Sequence, residues 1–176
     1  VWNNWKAKLL TSLFYKTNSY LLKKEEGGGG GEALSVHVQA EKNRKLDNVN
    51  GHTGEEIKKY LNLSYFLRHD LEEIVWHSEL LYENYLTEKY IVFFRATDDS
   101  IGLKVVVYGK DREDLFADIL GYFQYRRFGV LDAKLNTTNH GYVLDTFVID
   151  QSVMLNEDIL RVQKACEYEL VQVLNN

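Results

Sequence analysis

The chain has 176 residues, a net charge of −5 and no proline, although average usage predicts about nine prolines at this length. This length allows one domain or two small ones with a hydrophobic core. Neither half has an excess of basic residues, which disfavours a nucleic-acid partner. The single Cys166 excludes an internal disulfide framework and fits a reducing, cytoplasmic setting. No apolar stretch approaches the roughly 18 residues of a membrane span, so we expect no membrane partner.

The first half of the chain has helical patterns. Apolar residues recur at helical spacing between Trp2 and Leu22 and predict an amphipathic helix. Five consecutive glycines, Gly27–Gly31, predict a flexible connection, and they lack the Lys-Ser/Thr ending of a phosphate-binding loop. The remaining patterns predict helix over 32–46, loop over 47–54 and a short helix over 55–61.

A stronger helix is predicted from Asp70 to about Thr87. Asp70 followed three residues later by Glu73 matches a capping box, in which the Asp carboxylate accepts backbone N–H groups of the first turn. Apolar residues then recur on one face as far as Tyr85, as in a helix that packs against a core.

From Tyr90 onward the pattern changes to β-branched and aromatic runs separated by turn residues. The clean alternation after Gly129 predicts a half-buried strand with Leu131, Ala133 and Leu135 on its buried side. The predicted elements are strands Tyr90–Arg95 and Leu103–Tyr108 joined by a turn at Thr97–Ser100, a helix from Arg112 to Arg126 with Asp111 as its N-cap, strands Val130–Thr137 and Tyr142–Ile149 joined by a turn at Asn139–Gly141, and a helix over Asn156–Leu174.

This order predicts an α+β fold with an N-terminal helical region, residues 1–88, and a second domain over residues 89–176. The second domain has the order ββαββα, which is a permuted βαββαβ sandwich of the ferredoxin-like type. Its first strand would occupy the sheet edge that the last strand normally takes. We expect four antiparallel strands with two helices on one face. Because the chain opens at Val1 and its one methionine is Met154, we also expect it to be a segment of a longer protein.

The chain contains no complete catalytic motif. His69–Asp70 suggests a metal-dependent phosphohydrolase of the HD type, with His37 upstream and Asp145 downstream. The helix-capping pattern already explains Asp70, however, and Asp145 falls in a predicted strand, so we expect no metal site. Cys166 lies on the apolar face of the last helix and is predicted to be a buried, unreactive thiol.

One loop is a candidate binding site. The segment from Gly109 to Phe116 connects a strand to a helix N-terminus, where free N–H groups and the helix dipole can hold a carboxylate. The alternative is that its acidic residues only cap the helix. Three carboxylates in one turn would also oppose an anionic ligand.

Several segments together resemble one family. The stretches KVVVYGKDREDLF (104–116) and VLDAKLNTTNHGYVLDTFV (130–148) resemble the ACT domain, a ligand-responsive module. Three segments are similar in order and sequence to the C-terminal region of bacterial protein-PII uridylyltransferase/uridylyl-removing enzymes. They are WNNWKAKLLTSLFYKT (2–17), YFLRHDLEEIVWH (65–77) and the stretch 130–148 just given. The resemblance covers most of the chain outside about 23–56.

The resemblance implies a regulatory region of a nucleotidyltransferase active in nitrogen regulation. Such a region would sense glutamine or another small amino acid and bias uridylylation against deuridylylation of PII. The catalytic domains, with Mg²⁺ and UTP, would lie before Val1, and a second ACT repeat would lie after Asn176. This chain itself would carry no catalytic residue and no cofactor. Its partners would be the amino acid, another ACT domain in cis or in trans, and PII through the parent enzyme.

The resemblance also implies where a ligand would bind. The corresponding positions are Asp111, Arg112, Glu113, Asp114, Leu115, Gly129 and Val130. Glu113 stands where the family loop carries proline, and Asp114 stands where a small residue is common.

Three other functions stay open from the sequence. The first is a degenerate ACT domain that serves only for dimerisation or assembly. The second is an RNA-binding ferredoxin-like domain, which the negative charge and the absence of a basic-aromatic pattern disfavour. The third is the HD-type phosphohydrolase described above.

Overall fold

The computed structural model describes residues 59–97, 102–150 and 159–176, together with Ala40, Asn43 and Arg44. These residues fall into two compact units, one with Asn62–Leu80 and one with Lys59–Leu61 and Leu81–Asn176. The elements in chain order are α1 (Leu63–Arg68), α2 (Leu71–Asn84), β1 (Ile91–Ala96), β2 (Gly102–Lys110), α3 (Leu115–Tyr125), β3 (Val130–Lys134), β4 (Tyr142–Asp150) and α4 (Ile159–Asn175).

The second unit is built on one four-stranded sheet with the order β1-β2-β4-β3. All three neighbouring pairs are antiparallel. The central pair β2–β4 is in register from Gly102 opposite Asp150 to Lys110 opposite Tyr142. The predicted fold class, mixed helix and sheet with four antiparallel strands in one sheet, is confirmed and is consistent with a ferredoxin-like ACT domain. The predicted hairpin between the first two strands is also confirmed.

The core of this unit lies between the sheet and the helices α3 and α4. Alternate strand residues such as Val105 and Phe147 are fully buried together with Ile119 of α3 and Leu170 of α4. This arrangement follows from the two periodicities, because every second strand residue and one stripe of each helix must leave water together. None of the described helices is long and apolar enough to cross a membrane.

The predicted start of α3 is wrong. The sequence suggested a helix from Arg112 with Asp111 as N-cap, whereas α3 begins at Leu115 and Asp114 occupies the N-cap position. Asp114 has a φ of 60°, in the left-handed region, and its side chain makes no capping hydrogen bond. The residues from Asp111 to Asp114 therefore form a loop instead of the first helical turn.

The predicted burial of β3 is also wrong. β3 lies at an edge of the sheet, and its apolar Leu131 and Ala133 are exposed while Asp132 and Lys134 are half-buried. The register with β4 shifts between Val130 and Asp132, as in a β-bulge. The alternation of apolar and polar residues is present in the sequence, but among the described residues the apolar side chains of this edge stay exposed.

In the first unit, α1 and α2 each begin with a side-chain cap. The Asn62 side chain accepts the Tyr65 N–H at 3.0 Å. The predicted capping box at α2 is confirmed, since Asp70 Oδ1 accepts the Glu73 N–H at 2.8 Å and Glu73 Oε2 accepts the Asp70 N–H at 3.3 Å. Tyr65 is fully buried, and its hydroxyl is hydrogen-bonded to His77 Nδ1 at 2.7 Å. Burial raises the pKa of Tyr65.

Several predictions fall outside the described residues. They are the helix over Trp2–Leu22, the glycine run Gly27–Gly31, most of the helix over 32–46, the loop over 47–54, most of the short helix over 55–61, most of the turn over Thr97–Ser100, and the first residues of the helix predicted from Asn156.

Helix α3 ends in a Schellman motif. The Arg127 N–H donates to the Gln124 carbonyl at 3.0 Å, and the Phe128 N–H donates to the Phe123 carbonyl at 2.8 Å. The C′ position of this motif adopts a left-handed conformation, which glycine occupies without steric cost. Here that position is Arg127, with a φ of 59°.

We predict that Arg127→Gly stabilises the sheet-containing unit. Removing the Cβ relieves a left-handed strain of about 1 kcal/mol, which corresponds to a melting temperature higher by about 2–4 °C in a chain of this size. Calorimetric melting measures the change. Arg127→Ala is the matched control, since it removes the same charge but keeps the Cβ. An equal gain in both variants would contradict the explanation.

Candidate functional site

The candidate loop lies at one end of the sheet, between the end of β2 and the start of α3. Asp111, Arg112, Glu113 and Asp114 are exposed, and Leu115 is buried as the first residue of α3. A backbone hydrogen bond joins the first residue of the loop to the turn that precedes β4. The Asp111 N–H donates to the carbonyl of Gly141 at 3.0 Å.

Arg112 is held by Asp118 of α3, by the backbone of its own loop and by the ring of Tyr90. Its Nη2 lies 2.6 Å from Asp118 Oδ2, and its Nη1 donates to the Glu113 carbonyl at 3.1 Å. The hydrogen bond with Asp118 raises the pKa of Arg112. The guanidinium also lies over the ring of Tyr90, 5.6 Å from the centroid, a cation–π distance. An incoming carboxylate would have to compete with Asp118 for this cation.

Tyr90, the residue before β1, lies directly against the loop. Its hydroxyl donates to the Lys110 carbonyl at 2.5 Å. Its ring covers Gly109, where a Cβ would run into the ring carbons. Gly109 is therefore needed for close approach, and its absence of a side chain allows Tyr90 and Arg112 to stack. The pKa of Tyr90 is raised, because the effect of burial is larger than the opposite effect of the nearby Arg112.

The turn Asn139–Gly141 lies beside the loop. Gly141 has a φ of 80°, which supports the predicted turn, since such a conformation favours glycine. The Thr137 hydroxyl lies 3.5 Å from Asp111 Oδ2, a second link between the loop and this hairpin.

His140 occupies the middle of an aromatic cluster. Its ring stacks on Tyr142 at 4.7 Å between centroids and also contacts Tyr60 and Tyr85 at 4.7 and 5.1 Å. The Tyr108 hydroxyl is 3.0 Å from His140 Nε2 and 2.9 Å from the Tyr85 carbonyl. A carbonyl can only accept, so the one Tyr108 proton goes to Tyr85 and Nε2–H of His140 donates to Tyr108. Burial lowers the pKa of His140.

The structure does not bring all predicted ligand residues together. Gly129 and Val130 lie at the start of β3, where Val130 pairs with Ile149 and the Gly129 carbonyl accepts the Asp150 N–H at 2.8 Å. The loop from Asp111 to Leu115 follows Lys110, which pairs with Tyr142 at the opposite end of β4. The two ends are seven residue steps apart along β4, from Tyr142 to Ile149, which is about 23 Å. Within one copy, the two groups are thus at opposite ends of the sheet.

The described residues of the phosphohydrolase hypothesis make hydrogen bonds within the fold. His69 Nδ1 donates to a backbone carbonyl of α1 at 2.9 Å, and Asp70 caps α2. Asp145 accepts the Asn136 N–H at 3.0 Å within the second unit. His37 lies outside the described residues. Among the residues that are described, no three His, Cys, Asp or Glu side chains form a group that could hold a metal ion.

Cys166 is completely buried in the core, as predicted from its place on the apolar face of α4. Burial raises the pKa of its thiol, although Tyr122 and Arg126 nearby act in the opposite direction. A thiol with a raised pKa is a poor nucleophile, so the unreactive interpretation agrees with its surroundings.

Sequence reasoning missed Tyr90 and the His140 cluster. The spacing of Tyr90 and Gly109 in the sequence does not predict their contact. The contact depends on the β1–β2 register, which pairs Ile91 with Tyr108. His140 lies in the turn predicted at Asn139–Gly141, and nothing in that turn pattern indicates an aromatic cluster. The strand pairing that brings Tyr108 and Tyr142 beside it was the missing information.

Comparison with known proteins gives one consistent result. The chain is 38% identical over 152 residues to bifunctional uridylyltransferase/uridylyl-removing enzymes of Burkholderia mallei (strain SAVP1), Burkholderia pseudomallei (strain 668) and Burkholderia thailandensis. These alignments cover 86% of this chain and 18% of each relative, so the chain spans about a fifth of the relatives' length. The sequence resemblance is confirmed, and it is consistent with a C-terminal region of such an enzyme. No family model and no solved structure matches the chain.

We predict that His140 makes stability depend on pH. Its pKa is lowered from 6.5 in the folded chain, so the unfolded chain binds more protons in mildly acidic solution. The stabilising effect of neutral His140 is present above pH 6.5 and is lost as the pH falls through the folded pKa. Urea unfolding between pH 7.5 and 5 is expected to show a steeper loss of stability for the native chain than for His140→Gln. Parallel curves would contradict this, since His69 and His77 are common to both proteins.

Proposed function

We propose that this chain is a regulatory region of a cytoplasmic bifunctional uridylyltransferase/uridylyl-removing enzyme, in which an ACT-type module senses glutamine or another small amino acid. The sensed ligand would bias the parent enzyme between adding and removing uridylyl groups on PII. The 38% identity to such enzymes supports the parent activity. Sensing is supported by the loop and the sheet edge described above.

The observation that carries the proposal is the exposed apolar edge of β3. Leu131 of β3 is 46% exposed and Leu135, the residue that follows β3, is 42% exposed, and β3 is the last strand in the order of the sheet. Edge strands with apolar side chains are templates for pairing with another strand. We propose that a second ACT module, from another copy or from the same parent chain, pairs with β3.

The sequence of β3 favours one register for such a pair. Two antiparallel β3 strands centred on Ala133 would place Asp132 of one copy opposite Lys134 of the other, and Leu131 opposite Leu135. Opposite charges and apolar residues would then face each other across the pair, the combinations that stabilise antiparallel sheets. Because of the two-fold symmetry, each of these contacts would occur twice in the pair.

The same register would complete the ligand site. Gly129 of one copy would lie opposite Thr137 of the other, whose hydroxyl contacts Asp111. The Gly129–Val130 segment would then reach the Asp111–Leu115 loop of its neighbour, although the two are about 23 Å apart within one copy. We propose that the amino acid binds in this shared position.

The loop chemistry suits a zwitterion better than an anion. The ammonium group of an amino acid can pair with the carboxylates of Asp111, Glu113 or Asp114, while Arg112 and the N–H groups at the start of α3 can hold its carboxylate. A second negative charge on the ligand would be repelled. This favours glutamine over glutamate. The uridylyl chemistry, with Mg²⁺ and UTP, would belong to the part of the parent enzyme outside this chain.

A second function, pairing without sensing, also has an observation in its favour. Arg112 is already bound to Asp118 at 2.6 Å and to the ring of Tyr90. If this cation is never released, the module would assemble with another ACT domain and ignore amino acids. Light scattering with and without glutamine separates the two functions, because only sensing makes assembly depend on the ligand.

We predict that L-glutamine binds this chain and that L-glutamate binds more weakly. Titration calorimetry at millimolar ligand measures both affinities. Arg112→Gln is expected to weaken glutamine binding about tenfold, the loss typical of one hydrogen bond to a charged group. Arg161→Gln, on an exposed part of α4, is the control and should bind like the native chain. No binding heat from the folded native chain would refute sensing and leave the assembly function.

We predict that the chain self-associates through β3 and that charge exchange tests the register. Lys134→Asp would place two carboxylates opposite each other at both symmetric positions and weaken the dimer about tenfold. The double variant Asp132→Lys/Lys134→Asp restores opposite charges and should recover the native affinity. Sedimentation equilibrium measures the dissociation constants. An unaltered dimer in the single variant, or no recovery in the double variant, would contradict this register.

A further inference from the structure

We propose that the turn Asn139–Gly141 is a positioning element that mechanically links the Asp111–Leu115 loop to the chain leaving α2. This inference rests on the proposed sensing function for its biological meaning, but its contacts stand independently. The first link is between the loop and the turn. The Asp111 N–H donates to the Gly141 carbonyl at 3.0 Å, so a shift of Asp111 must move Gly141 or break this bond.

The second link runs from the turn to the segment after α2. His140 contacts the ring of Tyr85, the first residue beyond the last helical residue Asn84. The relay from His140 Nε2–H through the Tyr108 hydroxyl ends on the Tyr85 carbonyl at 2.9 Å. Carbonyls at a helix C-terminus lack partners within the helix, so an outside donor there fixes how the chain leaves the helix.

A parallel contact strengthens this link. The Tyr142 hydroxyl donates to the Thr87 carbonyl at 3.2 Å, and the Tyr142 ring stacks on His140. Two sheet tyrosines thus hold the segment from Tyr85 to Thr87 against the turn.

The turn also holds a third segment. The Asn139 N–H donates to the Tyr60 carbonyl at 2.9 Å, and its side-chain amide donates to the Lys59 carbonyl at 3.0 Å. Tyr60 in turn stacks on Tyr85 at 4.4 Å. The turn therefore contacts both chain segments that connect the sheet-containing unit to Asn62–Leu80. A movement of the loop can therefore reach both segments through the turn.

The arrangement explains the use of histidine in an exposed turn. A small turn residue would satisfy the backbone, but only a flat ring with a donor can both stack on Tyr60, Tyr85 and Tyr142 and donate to Tyr108. Energetic coupling between two sites is reciprocal. Loss of a hydrogen bond to the segment after α2 should therefore destabilise the hydrogen bond of the Asp111 amide, even without any ligand.

Amide hydrogen exchange measured by NMR on the ligand-free 176-residue chain tests the link. Tyr108→Phe removes the donor to Tyr85 and leaves the ring in place. We expect the exchange of the Asp111 amide to rise about fivefold, the effect of losing one hydrogen bond. Tyr122→Phe is the matched control, because its hydroxyl bonds to Glu169 on α4. It should leave the Asp111 amide unchanged.

The middle of the link is tested by repeating the comparison with His140→Ala. In that background Tyr108→Phe should no longer alter the Asp111 amide. The proposal is overturned if Tyr108→Phe changes Asp111 exchange less than about twofold, if Tyr122→Phe has the same effect, or if the effect persists without His140. Tyr142→Phe provides a second disturbance at the same segment. Absent glutamine binding in calorimetry would refute sensing but would leave these exchange results as they are.

Discussion

The antiparallel register between β2 and β4 is the constraint on which the rest of the second unit depends. It buries both central strands and brings Lys110 opposite Tyr142. The loop that follows Lys110 and the turn that precedes Tyr142 therefore meet at one end of the sheet, where the Asp111 N–H finds the Gly141 carbonyl. A slip by one residue would turn every side chain of one strand to the other face. The core and the candidate site would be lost together.

The edge strand β3 is largely exposed, whereas the central strands β2 and β4 are largely buried. Its apolar residues alternate as in a buried strand, yet Leu131 and Leu135 remain exposed. The bulge between Val130 and Asp132 sets which of its side chains point outward. The second module proposed above would pair with this edge and cover apolar side chains that are exposed in one copy. This is also the simplest way for Gly129 to approach the loop after β2, since the two are separated within one copy.

Helix α3 is flanked at both ends by a residue in the left-handed backbone conformation, which is unfavourable for residues other than glycine. Asp114 before it and Arg127 after it are the non-glycine residues with positive φ in the described part of the chain. Each costs free energy that glycine would avoid. At the C-terminus the Schellman hydrogen bonds compensate, and Phe128 enters the core. At the N-terminus Asp114 makes no side-chain capping hydrogen bond, and in the loop before it the guanidinium of Arg112 lies over the ring of Tyr90.

The sequence by itself determined the element types of the described residues, the capping box at Asp70 and Glu73 and the buried Cys166, because these depend on local spacing and hydrophobic periodicity. The resemblance to uridylyltransferase/uridylyl-removing enzymes came from whole matching segments of the sequence. The sequence also placed the candidate loop after the second strand. It did not determine the start of α3, since the left-handed conformation of Asp114 leaves no local signal. Only the tertiary structure decided that β3 is an edge, that Tyr90 covers Gly109 and that His140 joins Tyr85 to the sheet. These contacts join residues far apart in the chain, and strand order and register alone bring them together.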